Sequence, residues 1–181
     1  DVVALLGPSG SGKSTLLRVI AGVVAVDRGR VLIDGVDMTE RPTHRRGVGM
    51  VFQDNQLFPH MSVLDNVAFG PKMAGVARFE RAERAAEWLR RVGLAGFESR
   101  RVTDLSGGEA KRVALARTLA AKPAVVLLDE PLTGLDRELH DRLAVELSTL
   151  LREAHTTALL VTHDPDEAAI VADRTVQLAD L

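Results

Sequence analysis

The chain has 181 residues, of which 46% are apolar and 27% are charged, and its formal net charge is −2. This composition predicts one soluble, cytoplasmic domain, and the small net charge argues against a general attraction to nucleic acid or anionic lipid. The lack of cysteine excludes disulfides and thiolate metal sites. No signal peptide is recognisable, and no apolar run approaches the roughly 18 residues of a membrane span.

Short apolar runs alternate with longer helical stretches along the chain. This order predicts an α/β fold with a mostly parallel sheet that is covered on both faces. The strand candidates are residues 2–6, 30–33, 47–52, 125–129, 159–162 and 174–178. Because strand candidates stand at both edges of the sequence, we expect a fragment that lacks an N-terminal β-segment and a C-terminal end.

The first strand candidate leads into a glycine-rich loop with the pattern G-x-x-x-x-G-K-[ST]. Its residues are Gly7, Pro8, Ser9, Gly10, Ser11, Gly12, Lys13, Ser14 and Thr15. In such a loop the backbone N–H groups surround phosphate oxygens, and the helix that follows directs its positive end at them. Lys13 is expected to reach the β- and γ-phosphates and Ser14 to offer its hydroxyl to Mg²⁺. Kinases, GTPases, motors and pumps share this loop, so it does not decide the function.

The character of the sequence changes between residues 54 and 122, where helical periodicity replaces strand patterns. We expect a helix that Ser62 caps and that Gly70 and Pro71 break. The helix candidates of this segment are residues 62–69, 79–92 and 107–121. The prediction is therefore one domain with two parts, an α/β core of residues 1–53 and 123–181 and an all-helical subdomain of residues 54–122.

A buried-strand pattern at residues 125–129 ends in Asp129, and Glu130 follows directly. The carboxyl edge of a parallel sheet is where α/β proteins form their sites. Asp129 can hold Mg²⁺ through its water shell, and Glu130 can orient and deprotonate an attacking water. A positioned general base contributes roughly 10²–10⁴-fold in rate. The alternative, two exposed loop acids, is disfavoured by the phosphate loop in the same chain.

Residues 105–109 read Leu-Ser-Gly-Gly-Glu at the start of the helix candidate 107–121. Taken alone, Ser-Gly-Gly is an ordinary helix cap. The longer run LSGGEAKRVALAR, however, resembles the signature motif of the ATP-binding cassette (ABC) family. Gln53 resembles the Q-loop glutamine of that family, Asp136 its D-loop aspartate and His163 its switch histidine. With the phosphate loop and the Asp-Glu pair, six motifs occur in the family's order across nearly the whole chain.

The resemblance implies a RecA-like P-loop NTPase core, with ATP and Mg²⁺ as cofactors. It further implies that two copies face head to tail and that each ATP lies between them. Ser106, Gly107 and Gly108 would then cap, in trans, the γ-phosphate bound by the phosphate loop of the other copy. ATP binding would close this dimer, and hydrolysis would release it.

The resemblance also implies roles for single residues. His163 would contact the γ-phosphate, Gln53 the Mg²⁺ ion or the water, and Asp136 would lie at the dimer seam. Glu109 departs from the family, which commonly has Gln there, and we expect it to add negative charge near the nucleotide. The aromatic residue that usually stacks on adenine belongs to a segment ahead of the first strand, so the preference for ATP rests on the family alone.

Residues 55–70 resemble the cassettes of bacterial solute importers. This implies an energy-supplying subunit on the cytoplasmic face of the inner membrane, bound to a permease and indirectly to a solute-binding protein, with no nucleic acid partner. Leu57, Phe58 and Met61 either line a groove for the permease or pack the helical insert. An exporter cassette and a soluble, non-transport ABC protein remain the alternatives. A module that binds nucleotide without hydrolysis is disfavoured by Glu130 and His163.

Overall fold

A computed structural model describes residues 1–180 of the chain. In chain order its strands are β1 (Val2–Leu6), β2 (Leu32–Ile33), β3 (Val36–Asp37), β4 (Val48–Val51), β5 (Val125–Asp129), β6 (Thr157–Thr162) and β7 (Arg174–Gln177). The helices are α1 (Lys13–Ala21), α2 (Val63–Val67), α3 (Phe69–Met73), α4 (Arg78–Arg91), α5 (Gly107–Ala120), α6 (Arg137–Glu153) and α7 (Pro165–Val171). Short 3₁₀ turns lie at Thr43–Arg45, Val102–Asp104 and Leu178–Asp180.

Five of the strands form one parallel sheet in the order β4-β5-β6-β1-β7. The central strands are nearly continuous runs of apolar residues because both faces of the sheet are covered. The pairing places Leu6 opposite Thr162 and Asp129 opposite Val161. The carboxyl ends of β1, β5 and β6 therefore meet at one edge, and the segments that follow these strands form the candidate site. The predicted α/β class with a mostly parallel sheet is confirmed.

The strand predicted at residues 30–33 is not part of this sheet. Only Leu32–Ile33 is a strand, and it pairs antiparallel with Val36–Asp37 in a separate ribbon of two strands. Asp34 and Gly35 connect them with φ values of 50° and 74°, the backbone that tight hairpins require. The prediction that this run joins the parallel sheet was wrong because the turn returns the chain at once.

Helices α2 to α5 lie between β4 and β5, in the segment predicted to be helical. Ser62 caps α2 by accepting the N–H of Asp65. The expected break at Gly70 and Pro71 was wrong: the helix is interrupted at Ala68, and α3 includes both residues. Pro71 is the third residue of α3, where its missing N–H costs little because no intrahelical acceptor exists there.

One cluster of buried side chains runs through both parts of the chain. It includes Leu89 of α4 and Leu128 of β5, and Trp88 belongs to it with 8% of its surface exposed. The division into a core and a helical subdomain stays a prediction about segments, since these segments share one hydrophobic core. Its predicted C-terminal boundary, Leu181, lies outside the described residues. Within residues 1–180, no helix has both the length and the apolar composition that crossing a bilayer requires.

Candidate nucleotide site

The glycine-rich loop after β1 is open on the side where a ligand would approach. Gly10 and Gly12 have φ values of 78° and 99°, and no atom lies within 4 Å of a Cβ built on either. Gly12 caps α1 without any side-chain hydrogen bond. Across residues 1–180, the N–H groups of Gly12 to Thr15 find no acceptor. These free donors at a helix N-terminus form a cradle suited to a phosphate group.

Lys13 is buried within the loop, with 4% of its surface exposed. Its Nζ donates hydrogen bonds of 2.7 Å to the carbonyl oxygen of Gly7 and 2.8 Å to that of Pro8. A buried ammonium group needs such partners, since burial without them is costly. These hydrogen bonds hold the ammonium group of Lys13 against the loop that carries the free N–H groups.

Ser14 and Asp129 bring oxygen atoms from two elements together. The hydroxyl of Ser14 donates a hydrogen bond of 2.7 Å to Oδ1 of Asp129, which is 4% exposed at the end of β5. A hydroxyl and a carboxylate are ligands that suit Mg²⁺, which usually takes one or two carboxylates and completes its shell with phosphate oxygens and water. The part of the chain that the structure describes has no cluster of three or more His, Cys, Asp or Glu side chains that could hold an ion. The Ser14–Asp129 pair therefore fits an ion that is shared with a phosphate ligand.

Glu130 and His163 are brought into contact at the same sheet edge. Oε1 of Glu130 lies 3.4 Å from Nδ1 of His163, and Oε2 accepts a hydrogen bond of 3.1 Å from the hydroxyl of Thr133. The backbone of Glu130 has a φ of 46°, and its N–H donates to the carbonyl oxygen of Val161. A left-handed backbone at a bulky residue costs about 1–3 kcal/mol and marks a position that its surroundings enforce. The carboxylate is thus oriented through both oxygens, and the sequence-based prediction did not include Thr133.

A polar cluster behind His163 was also missed. Thr162 and Glu167 are 1% and 3% exposed, and the hydroxyl of Thr162 donates to Oε2 of Glu167. Burial raises the pKa of Glu167, and the hydrogen bond from Thr162 opposes this shift. Part of this cluster could have been predicted, because residues 164–167 read Asp-Pro-Asp-Glu, which is typical of a helix start directly after His163.

Asp164 forms that start by accepting the N–H groups of Asp166 and Glu167 at 2.8 and 3.3 Å. Burial on its own would raise the pKa of Asp164. The two N–H groups outweigh burial, together with His140 and Arg137, and hold this pKa below its ordinary value. Asp164 is therefore a charged cap directly beside His163.

Ser106 caps α5, as expected when Ser-Gly-Gly is interpreted as an ordinary helix cap. Its side chain accepts the N–H of Glu109 at 3.3 Å, and Oε2 of Glu109 accepts the N–H of Ser106 at 2.7 Å. The hydrogen bonds from the backbone and side chain of Ser106 lower the pKa of Glu109. The carboxylate that we expected to add charge near the nucleotide is thus engaged in a capping box. The N–H groups of Gly107 and Gly108 have no acceptor within residues 1–180.

Asp136 caps α6 by accepting the N–H of Leu139 at 3.0 Å. The side chain of Leu139 lies so close to Gly108 that a Cβ at this glycine would be 3.3 Å from it. The predicted dimer-seam residue therefore belongs to a segment that packs against the start of the signature helix.

Gln53 is exposed after β4, and the segment that follows it is tied to α5. Arg117 donates to the carbonyl oxygens of Asn55 at 3.0 Å and Gln56 at 2.8 Å, two consecutive residues with φ values of 59° and 44°. Its guanidinium also lies 5.2 Å from the ring centre of Phe58. Arg117 thus fixes the path of the chain just beyond Gln53, a role that the sequence-based prediction missed.

The three apolar residues predicted at this surface behave differently. Leu57 packs against the main hydrophobic cluster, and the ring of Phe58 lies 4.6 Å from that of Phe69. Met61 instead lines a surface cavity together with Phe69 and Arg81. Packing of the insert therefore accounts for Leu57 and Phe58, and Met61 faces an open cavity.

The predicted site residues form two groups. Ser14, Asp129, Glu130 and His163 adjoin the phosphate loop at the sheet edge. Gln53, Asp136 and the residues Ser106 to Gly108 make no hydrogen bond or ion pair with that group anywhere in the described chain. The structure therefore brings four of the predicted residues together and leaves a separate helix start, at which Ser106 and Gly107 are exposed and Gly108 is buried.

Comparison with known proteins gives a consistent picture. The family model described as "ABC transporter" matches residues 1–133. The Fe(3+) ions import ATP-binding protein FbpC of Streptomyces coelicolor is 55% identical over 180 residues, which are 99% of this chain and 52% of that protein. The spermidine/putrescine import ATP-binding protein PotA of Acidothermus cellulolyticus is 51% identical over 174 residues, 96% of this chain and 45% of that protein.

The sulfate/thiosulfate import ATP-binding protein CysA of Mycobacterium bovis is also 51% identical over 174 residues, 96% of this chain and 50% of that protein. The chain thus spans about half the length of the curated relatives that it matches. Among solved structures, an ATP-binding cassette seen as a dimer in a post-hydrolysis state with ADP and Pi has a TM-score of 0.83 and 34% identity. That alignment covers 98% of this chain and 81% of the cassette.

Proposed function

The chain belongs to the ABC transporter family, and from this membership and the geometry of its site we propose that it is a Mg²⁺-dependent ATPase subunit that powers solute import. The observation that carries the proposal is the contact between Glu130 and His163 directly beside the Ser14–Asp129 pair. A base, a second polar group and a pair of Mg²⁺ ligands at the mouth of a phosphate loop are the parts that ATP hydrolysis requires.

Each part of the site has a defined task in this proposal. The free N–H groups of the phosphate loop and the ammonium of Lys13 bind the phosphates, and Ser14 and Asp129 hold Mg²⁺. The ion, when bound, neutralises charge on the transferred phosphoryl group. Oε1 of Glu130 accepts the proton of the attacking water, while the hydrogen bond from Thr133 keeps the carboxylate in place. His163 contacts the γ-phosphate, and Gln53 contacts the ion or the water.

We further propose that the site is completed by a second copy of the chain. Ser106, Gly107 and Gly108 make no hydrogen bond with the phosphate loop, and the free N–H groups of Gly107 and Gly108 at this helix start can donate to a phosphate oxygen of another molecule. Asp136, packed beside this helix through Leu139, would then lie at the seam. The dimeric state of the related cassette with ADP and Pi supports this arrangement.

Import is supported by the printed functions of the relatives. Three of them are import ATP-binding proteins for ferric ion, polyamines and sulfate, and their identities to this chain differ by only four percentage points. These similar values favour no particular solute. In this proposal the subunit is peripheral, on the cytoplasmic face of the membrane, and binds permease subunits through the helical segment that includes Met61. A solute-binding protein would act through the permease. Exporter and non-transport cassettes remain alternatives.

The substitution Glu130→Gln tests the hydrolytic assignment. The amide keeps the shape and can still accept the hydrogen bond from Thr133, but it cannot take a proton from water. Steady-state ATP hydrolysis is expected to fall by roughly 10²–10⁴-fold, with ATP binding retained and an ATP-bound dimer accumulating.

Glu83→Gln, at an exposed position on α4, is the matched control and should hydrolyse ATP at the native rate. An unchanged rate in Glu130→Gln would rule out Glu130 as the general base. Uptake of ferric ion, spermidine and sulfate by cells that carry each variant separates import from export, because only an import subunit needs Glu130 for uptake.

A further inference from the structure

Two buried polar side chains, those of Thr162 and Glu167, form hydrogen bonds next to the loop that carries His163. Thr162, the last residue of β6, is 1% exposed, and Glu167, in the first turn of α7, is 3% exposed. The hydroxyl of Thr162 donates to Oε2 of Glu167 and accepts the N–H of Asp164 at 3.0 Å. These two bonds join the residues on either side of His163 to one carboxylate.

The direction of the hydrogen bonds explains why an oxygen acceptor is needed at position 167. A hydroxyl has one proton to donate and lone pairs to accept with. Because the proton of Thr162 goes to Glu167, its oxygen is free to accept the N–H of Asp164. An apolar side chain at position 167 would leave the hydroxyl free to rotate, and the peptide after His163 would lose a fixed acceptor.

Glu167 is also under-satisfied, which is unusual for a buried acid. Its Oε1 has no hydrogen-bond partner, and its Oε2 lies 4.0 Å from Nε2 of His140 on α6. Burying a carboxylate with so few partners costs stability, so its presence calls for a reason other than stability. The cluster adjoins the His163–Glu130 contact, and no hydrogen bond or ion pair joins its side chains to residues 7–15 in the described chain.

We propose that Glu167 and Thr162 are positioning residues for hydrolysis, which fix the loop of His163 so that its imidazole stays against Glu130 and the γ-phosphate. This inference rests on the proposed ATPase function. Within residues 1–180, neither side chain makes a hydrogen bond or an ion pair with the phosphate loop, so we expect both to act through His163. Misplacing a reacting group by about 1 Å costs up to about 100-fold in rate.

The test is a set of variants assayed for ATP hydrolysis, with kcat and KM measured separately. Thr162→Val removes the hydroxyl at nearly constant volume, and Glu167→Leu removes the acceptor. Each is expected to lower kcat by about 10- to 100-fold while KM for ATP changes by less than about threefold. Thr162→Ser and Glu167→Gln retain a hydroxyl donor and an oxygen acceptor, and both should restore near-native kcat.

A double-mutant cycle with His163→Ala identifies the route of the effect. If both side chains act through His163, Thr162→Val and Glu167→Leu should cause no further loss in the His163→Ala background. Single-turnover assays with excess protein measure these slow rates. An additive loss, or a native kcat in Thr162→Val and Glu167→Leu, overturns the inference.

The outcomes separate this inference from the proposed function. If the native protein does not hydrolyse ATP, the proposed function itself fails. If the native protein and Glu130→Gln behave as proposed but the cycle is additive, only the positioning role fails. Should Thr162→Val not fold, Glu167→Leu decides the question alone, since it leaves the buried strand β6 unchanged.

Discussion

Helices α1 and α5 both begin after small residues, but their N-termini are prepared in different ways. At α1 the cap is Gly12, which has no side chain, and four successive N–H groups have no acceptor within residues 1–180. At α5 the capping box of Ser106 and Glu109 satisfies two N–H groups and leaves those of Gly107 and Gly108 free. One helix start is therefore open to an anion, and the other is half satisfied by its own side chains.

This difference matches the different surroundings of the two helices. The start of α1 lies at the edge of the parallel sheet, where Lys13 and Asp129 are buried and hydrogen-bonded. The start of α5 is exposed at Ser106, and its cap is made by its own residues, Ser106 and Glu109. An exposed helix start is stabilised by such a cap, which satisfies N–H groups that have no partner within the helix. Under the proposed function, we therefore expect α1 to bind phosphate within one chain and α5 to contact only a phosphate that another copy already holds.

Among the variants that distinguish the two helix starts, Ser106→Arg is expected to have the largest effect. A long cation at the exposed cap would occupy the space that a second copy needs, and it cannot accept the N–H of Glu109. We expect this substitution to abolish ATP-driven dimerisation. Light scattering measures the dimer, and the substitution is made in the hydrolysis-deficient Glu130→Gln variant so that bound ATP persists. Nucleotide binding by the single chain should be unchanged.

Ser99→Arg, the same substitution at an exposed position in a turn, is the control and should dimerise normally. A normal ATP-bound dimer in Ser106→Arg would exclude the proposed role of this helix start in trans. Loss of nucleotide binding by the monomer would instead show that the two helix starts are not independent.

The substitution Lys13→Ala tests whether the start of α1 binds the phosphates of ATP. It removes the buried ammonium that the loop carbonyls hold, and with it a charge-assisted contact to phosphate. Such contacts contribute about 1.5–3 kcal/mol, so ATP is expected to bind roughly 10- to 100-fold more weakly. Binding can be measured by titration and by the upward shift of the melting temperature with ATP. Lys72→Ala, at an exposed position on α3, should bind as the native chain does; equal affinity of both variants would refute the assignment of Lys13.

Local patterns were sufficient to predict the elements around the phosphate loop. Strand β1 and the phosphate loop follow each other in sequence, and the predicted strand bounds agree with Val2–Leu6. The cap at Ser62 and the start of α5 at Gly107 are also local features, and the structure has both. Where a structure depends on neighbours within a few residues, spacing and capping rules identify it.

The missed features depend on contacts between distant residues. The contact of Glu130 with His163 follows from the pairing of Asp129 with Val161, which no local pattern specifies. The bonds from Arg117 to the segment after Gln53 span 61 and 62 positions. The error at residues 30–33 has a related cause, because a run of apolar residues does not say which sheet it joins.

The smallest expected effect concerns the capping box, which distinguishes α5 from α1. Glu109→Ala removes the acceptor for the N–H of Ser106 and should lower the free energy of unfolding by about 1 kcal/mol. Glu109→Gln can still accept this N–H but has no negative charge at the helix start. It should therefore lower the free energy of unfolding by only part of that amount. Chemical denaturation at several pH values measures both effects.

The pH dependence gives the direction of the charge effect. Hydrogen bonds from Ser106 lower the pKa of Glu109 in the folded chain, so the unfolded chain binds its proton at a higher pH. The stabilising contribution is therefore complete above the ordinary pKa of a glutamate, and it is lost as the pH falls through the lowered value. The stability difference between the native chain and Glu109→Gln should shrink over that acidic range, whereas a difference that is independent of pH would show that the carboxylate does not act as a charged cap.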